Sequence, residues 1–240
     1  MTFDPLAWEP DPALKRELEE QFARTVESYQ VHPDLISEHA NHEESIRTGG
    51  YASRTLLELV QNAADALTGA ESSLLGRGGR VEIVLDTENR ALYCANAGRP
   101  FSKSGLTAVT MAYLSAKRGD EIGRFGLGFK SVLAVTNSPQ VFSRSISFEF
   151  NSPLAREALQ RVARAPRYPI LRTATPLDAR AAIPLDPILA ELAGWATTIV
   201  KLPDIGNVGR LRAEIEDFNS EFLLFVESVR EIRLRVVGDQ

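Results

Sequence analysis

Leu14, Leu18, Phe22, Val26 and Tyr29 recur at steps of three and four between charged residues, the period of an amphipathic helix that begins after Asp11-Pro12. Pro33 closes that region and opens a second predicted helix, which runs to Arg47 and stops at Gly49-Gly50. Ser53 stands as the N-cap of a third helix extending through Leu67. Arg80 to Leu85 and Arg90 to Ala95 alternate or run apolar around the turn-forming Asp86 to Asn89, which predicts a hairpin. Further on, Leu106 to Tyr113 and Leu127 to Ala134 read as helical, and Gln140 to Phe142 and Ile146 to Phe150 as strands. Thr197 to Leu202 is a predicted strand, Val208 to Phe225 a helix and Val229 to Val237 a last strand. Helices followed by hairpins and a late strand imply an α+β fold, a two-layer α/β sandwich whose mostly antiparallel or mixed sheet is covered on one face by helices.

The same pattern divides the chain. Residues 1–32 form an N-terminal helical extension, 33–203 the main domain, and 204–240 a helix and strand that lead toward a downstream region. Within the main domain an Ala-, Arg- and Pro-rich stretch, about 152–195, reads as an insertion with one helical piece, Leu154 to Ala163. The chain ends just after a predicted strand, so it is expected to be the N-terminal part of a longer protein. From Ser102 to Gly123 the sequence is polar and irregular, with glycines at 105, 119 and 123, as expected of a mobile lid.

Composition narrows the possibilities. A chain of 240 residues that is 44% hydrophobic and 25% charged is neither disordered nor a disulfide scaffold. Cys94, its single cysteine, lies in the apolar run ALYCA and can supply neither a disulfide nor a cysteine metal site. No membrane-length apolar run and no signal-peptide pattern occur, so the expected address is cytoplasmic and no membrane partner is expected. A net charge of −5 argues against holding nucleic acid mainly by overall charge.

Three short motifs carry candidate chemistry. In ELVQNAADA, Glu58, Asn62 and Asp65 are spaced four and three apart and share one helix face, while Leu56, Leu59, Val60, Ala63 and Leu67 cover the other. The stripe has short acid and amide side chains and none of the Lys or Arg that balances an ordinary solvated face. A carboxylate one turn from an amide can activate water beside a hydrated Mg²⁺. In IGRFGLGFKS, Gly123, Gly126 and Gly128 form a G-x-x-G-x-G run that opens a helix, suited to an anion such as phosphate. The order differs from the dinucleotide fingerprint, and Phe129 between Gly128 and Lys130 breaks a Walker A match. Asn96-Ala97-Gly98 follows an apolar strand, where bare glycine backbone lets a flat ligand approach. By itself this third motif is a turn.

In that order and spacing the three motifs resemble the N, G1 and G2 boxes of the GHKL, or Bergerat-fold, ATPases, which include gyrase B subunits, MutL, histidine kinases and the ninety-kilodalton heat-shock chaperones. GGYASRTLLELVQNAADA and IGRFGLGFKSV are most similar to sacsin N-terminal-like ATPase domains, over roughly Pro33 to Pro203. The resemblance implies ATP or ADP and Mg²⁺ as ligands. It implies that Glu58 is the general base, Asn62 the Mg²⁺ ligand, and Asp65 and Ala66 parts of the pocket wall. Gly98 would face the adenine, Ser115 and Lys117 would belong to the lid, and Gly123, Arg124, Phe125, Gly126, Leu127 and Gly128 to the phosphate loop. Phe129 and Lys130 follow directly, with Lys130, Arg124 and Lys117 able to contact phosphates, and Thr198 would lie on the strand closing the adenine pocket.

One position departs from the family. The G1 box normally begins with Asp, which accepts the adenine amino proton, and here it begins with Asn96. Its amide oxygen can accept from N6 and its NH₂ can donate to N1. Histidine kinases lack the Asp-Ala that closes ELVQNAADA, and His32, His39 and His42 all precede the N box. His39 and His42, one turn apart, could form a metal pair but read as surface or packing residues.

Two functions remain open at this point. One is a Mg²⁺-dependent ATPase whose lid drives a larger machine, slow when isolated, completed by downstream domains and by an ATP-dependent homodimer. The other is a nucleotide-sensing interaction module with little or no hydrolysis, for which Asn96 speaks. Whether the machine would act on a protein client or on DNA is not written in these residues.

Overall fold

A computed structural model describes residues 3–48, 55–68, 79–110, 129–219 and 228–238. Seven strands form one mixed sheet: β1 Arg80–Asp86, β2 Ala91–Asn96, β3 Gln140–Ser143, β4 Phe148–Glu149, β5 Thr175–Pro176, β6 Thr198–Leu202 and β7 Glu231–Val237. Their order is β5-β4-β3-β6-β2-β1-β7, antiparallel throughout except for the parallel pair β1 and β7. The predicted hairpin is β1 with β2, in register from Val81 opposite Asn96 to Asp86 opposite Ala91.

Side chains alternate across these strands, and both faces are buried. On one face Val81, Ile83, Leu92, Cys94, Val141 and Leu202 meet α3 Thr55–Leu67 through Leu56, Leu59, Val60 and Ala63. This is the two-layer sandwich expected from sequence. On the other face Val84, Tyr93, Phe142 and Ile199 lie beneath Trp8 and beneath Ala179, Ile183, Leu189 and Leu192. Those four belong to α6 Ala179–Ala182, a 3₁₀ turn Ile183–Leu185 and α7 Pro187–Ala193. The stretch expected to hold one helical piece therefore holds α5 Pro153–Val162 and these short helices as well. Asp178 and Asp186 cap the later two and Pro187 opens α7. Four to seven residues are too few to display a helical period, which is why the pattern hid them.

The first two helices agree with the sequence pattern: α1 spans Pro12–Val31, capped by Asp11, and α2 spans Asp34–Thr48. Three expectations shift. The helix expected at Leu106 to Tyr113 is described as α4 Lys103–Thr110, the helix expected from Leu127 appears as a 3₁₀ segment Phe129–Ala134, and β4 is shorter than Ile146 to Phe150. Residues 144–147 form a serine-rich bend in which the Ser143 N–H donates to Ser147 Oγ at 3.2 Å. α8 spans Val208–Glu216 with Asp217 as its C-cap, and residues 220–227, which include the expected end at Phe225, lie outside the described residues.

α4 also changes the account of the lid. Leu106 is fully buried, and Gln21 of α1 donates to Thr107 Oγ1 at 3.3 Å and accepts from Thr110 Oγ1 at 2.7 Å. Lys103 forms an ion pair with Glu17 at 2.7 Å. Lys103 to Thr110, the first part of the segment expected to form a lid, is thus a helix joined at both ends to α1, and the rest of that segment lies outside the described residues.

Candidate functional site

α3 is the axis along which the motifs meet. Near its start, Thr55 Oγ1 donates to the Ser131 carbonyl at 3.0 Å, a buried bond that ties the helix to the segment directly following the glycine-rich run. One turn further, the Leu59 carbonyl accepts from Cys94 Sγ of β2 at 3.7 Å. At its end, the Ala66 carbonyl accepts from the Arg99 N–H at 2.9 Å. From Glu58 to Ala66 the helix rises about 12 Å. Glu58, Asn62, Asp65 and Ala66 are half-buried, whereas Leu57, Gln61 and Thr68 are exposed. The acid and amide stripe therefore lies at the edge between core and solvent.

Gly98 has a specific reason to be glycine. A Cβ there would stand 2.5 Å from both the Ala66 carbonyl carbon and its oxygen, so the strand end and the helix end can meet only without a side chain. The side on which a Cβ would stand is turned to the helix backbone.

Asn96 is buried at the end of β2. Its Oδ1 accepts from the Gly98 N–H at 3.0 Å. Across the sheet Asn96 is in register with Thr198 of β6, and Thr198 with Ser143 of β3. All three have the strand parity of Cys94, Val200 and Val141, so they form one polar row on the α3 side, each at most 5% exposed. Thr198 Oγ1 donates to Ser143 Oγ at 3.2 Å, and Ser143 Oγ also accepts from the Phe101 N–H at 3.1 Å. Ser145 Oγ donates to the Phe101 carbonyl at 2.7 Å. Ser143 escaped the sequence reading because only the β3–β6 register brings it to Thr198.

Phe129 and Lys130 are buried in the 3₁₀ segment, and Phe129 stacks at a tilt on Phe150 with centroids 5.8 Å apart. Burial holds the Lys130 ammonium below its usual range, with Arg172 adding to that and Glu43 of α2 opposing it. Ser115, Lys117, Gly123, Arg124, Phe125, Gly126, Leu127 and Gly128 lie outside the described residues. His39 Nδ1 shares a hydrogen bond with Tyr29 Oη at 2.9 Å, and burial pushes its imidazole down to about 4. Among the described residues no group of three or more His, Cys, Asp and Glu converges as a metal site. No helix among them is long and apolar enough to cross a membrane.

Glu43, a buried carboxylate on α2, is shifted into the neutral range. Burial pushes it up to about 7, against the hydrogen bonds it accepts from the Ile170 and Leu171 N–H groups at 2.7 and 3.0 Å and against Arg172 and Arg47. The folded chain thus holds this proton more tightly than the unfolded chain. Its contribution to stability is full at low pH and is lost as pH rises from the ordinary 4.5 through about 7. Glu43→Gln is expected to remove that slope, up to ~1.4 kcal/mol per pH unit, from the curve of unfolding free energy against pH. Parallel curves for the two proteins would assign the titration to another group.

A helix bearing an acid and amide stripe, laid on a mixed sheet with a polar row at the strand ends, is the arrangement that the resemblance to GHKL ATPases leads one to expect. Comparison with known proteins agrees. The chain is 36% identical to human sacsin over 104 residues, covering 39% of this chain and 2% of sacsin. It is 34% identical to the chaperone protein HtpG of Chlorobium phaeovibrioides (strain DSM 265 / 1930) over 113 residues, covering 38% of this chain and 18% of HtpG. The matches thus span less than a fifth of either relative. No family model matches the chain.

Proposed function

We propose that this chain is a nucleotide-binding domain that hydrolyses ATP with Mg²⁺ and that its bound state changes the conformation of a larger assembly. The observation that carries this reading is the double anchoring of α3. Its first turn is tied to the segment following the glycine-rich run and its last turn to the Asn96–Arg99 strand end. A ligand lying along the helix would meet phosphate-binding backbone at one end and a base-reading polar row at the other. The separation of about 12 Å suits an extended nucleoside triphosphate.

In this reading Glu58 orients and deprotonates the attacking water and Asn62 offers its amide oxygen to the metal. Asp65, Ala66, Gly98 and Thr198 wall the pocket, and Gly123 to Gly128 with Phe129 and Lys130 complete the phosphate end. Mg²⁺, when bound, neutralises charge that develops on the phosphates. A lid in the segment carrying Ser115 and Lys117 would begin after Thr110, because α4 is fixed to α1. Domain limits of 33–203 with an insertion near 152–195, a cytoplasmic setting, nucleotide-dependent pairing of two copies and completion of the site by downstream chain all belong to the same proposal.

The alternative, a module that binds nucleotide with little turnover, is favoured by one feature, the amide at Asn96 in place of a carboxylate. The test of the common ground is a calorimetric titration of ATP with and without Mg²⁺. Asn62→Ala is expected to abolish most of the Mg²⁺ enhancement and leave the metal-free affinity close to that of the parent, since a largely hydrated Mg²⁺ uses few protein ligands. Full enhancement in the variant would remove Asn62 from the site.

A further inference from the structure

One face of α2 and the segment that packs on it frame an open cleft of about 540 Å³ lined by Glu38, His39, Asn41, His42 and Arg172. Its walls are held by bonds made next to the lining residues. Glu43, which follows His42, accepts from the Ile170 and Leu171 N–H groups at 2.7 and 3.0 Å, and Arg172 follows Leu171, so this pair of buried bonds sets the guanidinium against one turn of α2. His39 is set by Tyr29, which is fully buried and shares a hydrogen bond with His39 Nδ1 at 2.9 Å. Burial keeps that imidazole uncharged near neutral pH, so Arg172 rather than His39 brings fixed positive charge to the cleft.

Guanidinium, imidazole and amide groups together offer more N–H donors than the two oxygens of a planar carboxylate can use, and they come from both walls of the cleft. A tetrahedral phosphate presents four oxygens to such a set, and bonds from a cation to phosphate oxygens are the stronger kind. The neighbouring chain also favours an anion, because residues 156–172 carry five arginines against the single acid Glu157 in a protein of net charge −5. Glu38 is the exception among the lining groups. Exposed on α2 and lining the same cleft, it opposes a ligand whose negative charge extends beyond one phosphoryl group.

We propose that the α2 cleft is a binding site for a single phosphoryl group, as inorganic phosphate or as a phosphate monoester, with Arg172 as its cation and His39, Asn41 and His42 as its further donors. The cleft shares no lining residue with the nucleotide site proposed along α3, and the two readings stand or fall separately.

The experiment follows the imidazole C2–H proton resonances of the full chain during titration with inorganic phosphate at constant pH and ionic strength. The chain has three histidines, and His32, the C-cap of α1, lies outside the lining and serves as the internal control. Phosphate is expected to shift His39 and His42 along one saturable curve, with a dissociation constant of about 1 mM or tighter, and to leave His32 in place. Acetate is expected to bind at least about tenfold more weakly, and pyrophosphate more weakly than phosphate. Arg172→Gln is expected to weaken phosphate by about tenfold or more, and His42→Ala, at an exposed position, by about threefold or more as read on His39, so the proposal stays testable if the first variant does not fold. O-phosphoserine binding as tightly as phosphate identifies a monoester as the ligand, and phosphate binding without phosphoserine identifies the free ion. Shifts that do not saturate, acetate or pyrophosphate binding as tightly as phosphate, or unchanged affinity in either folded variant overturns the proposal.

Discussion

Glu58→Ala is expected to lower ATP turnover by on the order of 10²- to 10⁴-fold, the usual contribution of a positioned general base, with nucleotide affinity close to that of the parent. The geometry supplies the reason for both halves. Glu58 lies one turn beyond Thr55, whose hydroxyl is bonded to the Ser131 carbonyl, so it falls at the end of α3 that the proposed function assigns to the phosphates. It is half-buried and does not belong to the Asn96–Thr198–Ser143 row that would hold the base. Under the proposed function, removing it takes away proton transfer and leaves the groups that would bind nucleotide in place. Single-turnover and steady-state assays on the parent and variant read the two effects separately. Equal turnover in the two proteins would remove Glu58 from the mechanism, and undetectable turnover in both with intact binding would favour the nucleotide-sensing alternative.

The second large effect concerns the fold. Glu82 of β1 is almost fully buried on the face opposite α3 and pairs with two cations, Arg80 on its own strand and Arg235 on β7 at 2.8 Å. The Arg80 guanidinium is itself buried and stacks 4.0 Å from the centre of the Trp195 ring. Removing the carboxylate leaves a buried arginine without its counter-charge, a change that costs about 3–5 kcal/mol when one partner of such a pair is deleted. Glu82→Ala is therefore expected to unfold at much lower denaturant than the parent. The parallel β1–β7 pair should be the first part to lose amide protection, because Arg235 joins that edge to Glu82. Substituting the pair with apolar residues, Glu82→Leu together with Arg80→Met, is expected to recover much of the loss. A midpoint for Glu82→Ala equal to that of the parent would show that the network is incidental.

Much of the architecture was legible in the residues because long elements display their period. Leu14 to Tyr29 marked α1, ELVQNAADA marked α3, and the alternation about Asp86 to Asn89 marked the hairpin, each within a few residues of what is found. Short elements were not legible. α6 and α7 span four and seven residues and rest on caps and a proline rather than on a repeat. The cover they lay over the second sheet face therefore had no signature in the pattern. For the site, the stripe on α3 and Asn96 were visible as motifs, whereas Ser143 was not, since its place beside Thr198 follows from strand register alone. At Gly98 the motif points to a close approach of bare backbone, and the fold supplies a neighbour the pattern does not name. The space it leaves is filled by the Ala66 backbone. Gln21, which fixes α4, carries no motif, and only the packing of α1 on α4 brings it to two threonine hydroxyls.

In the proposed function one ligand lies along α3 from the post-glycine segment to the end of β2. Amide hydrogen exchange of the full chain, with and without saturating ATP and Mg²⁺, tests it most directly. The predicted result is slower exchange in residues 55–68, 96–101 and 129–133 together, with residues 34–48 unchanged. Protection confined to the open cleft on α2 lined by Glu38, His39, Asn41, His42 and Arg172, or no protection along α3, would contradict it.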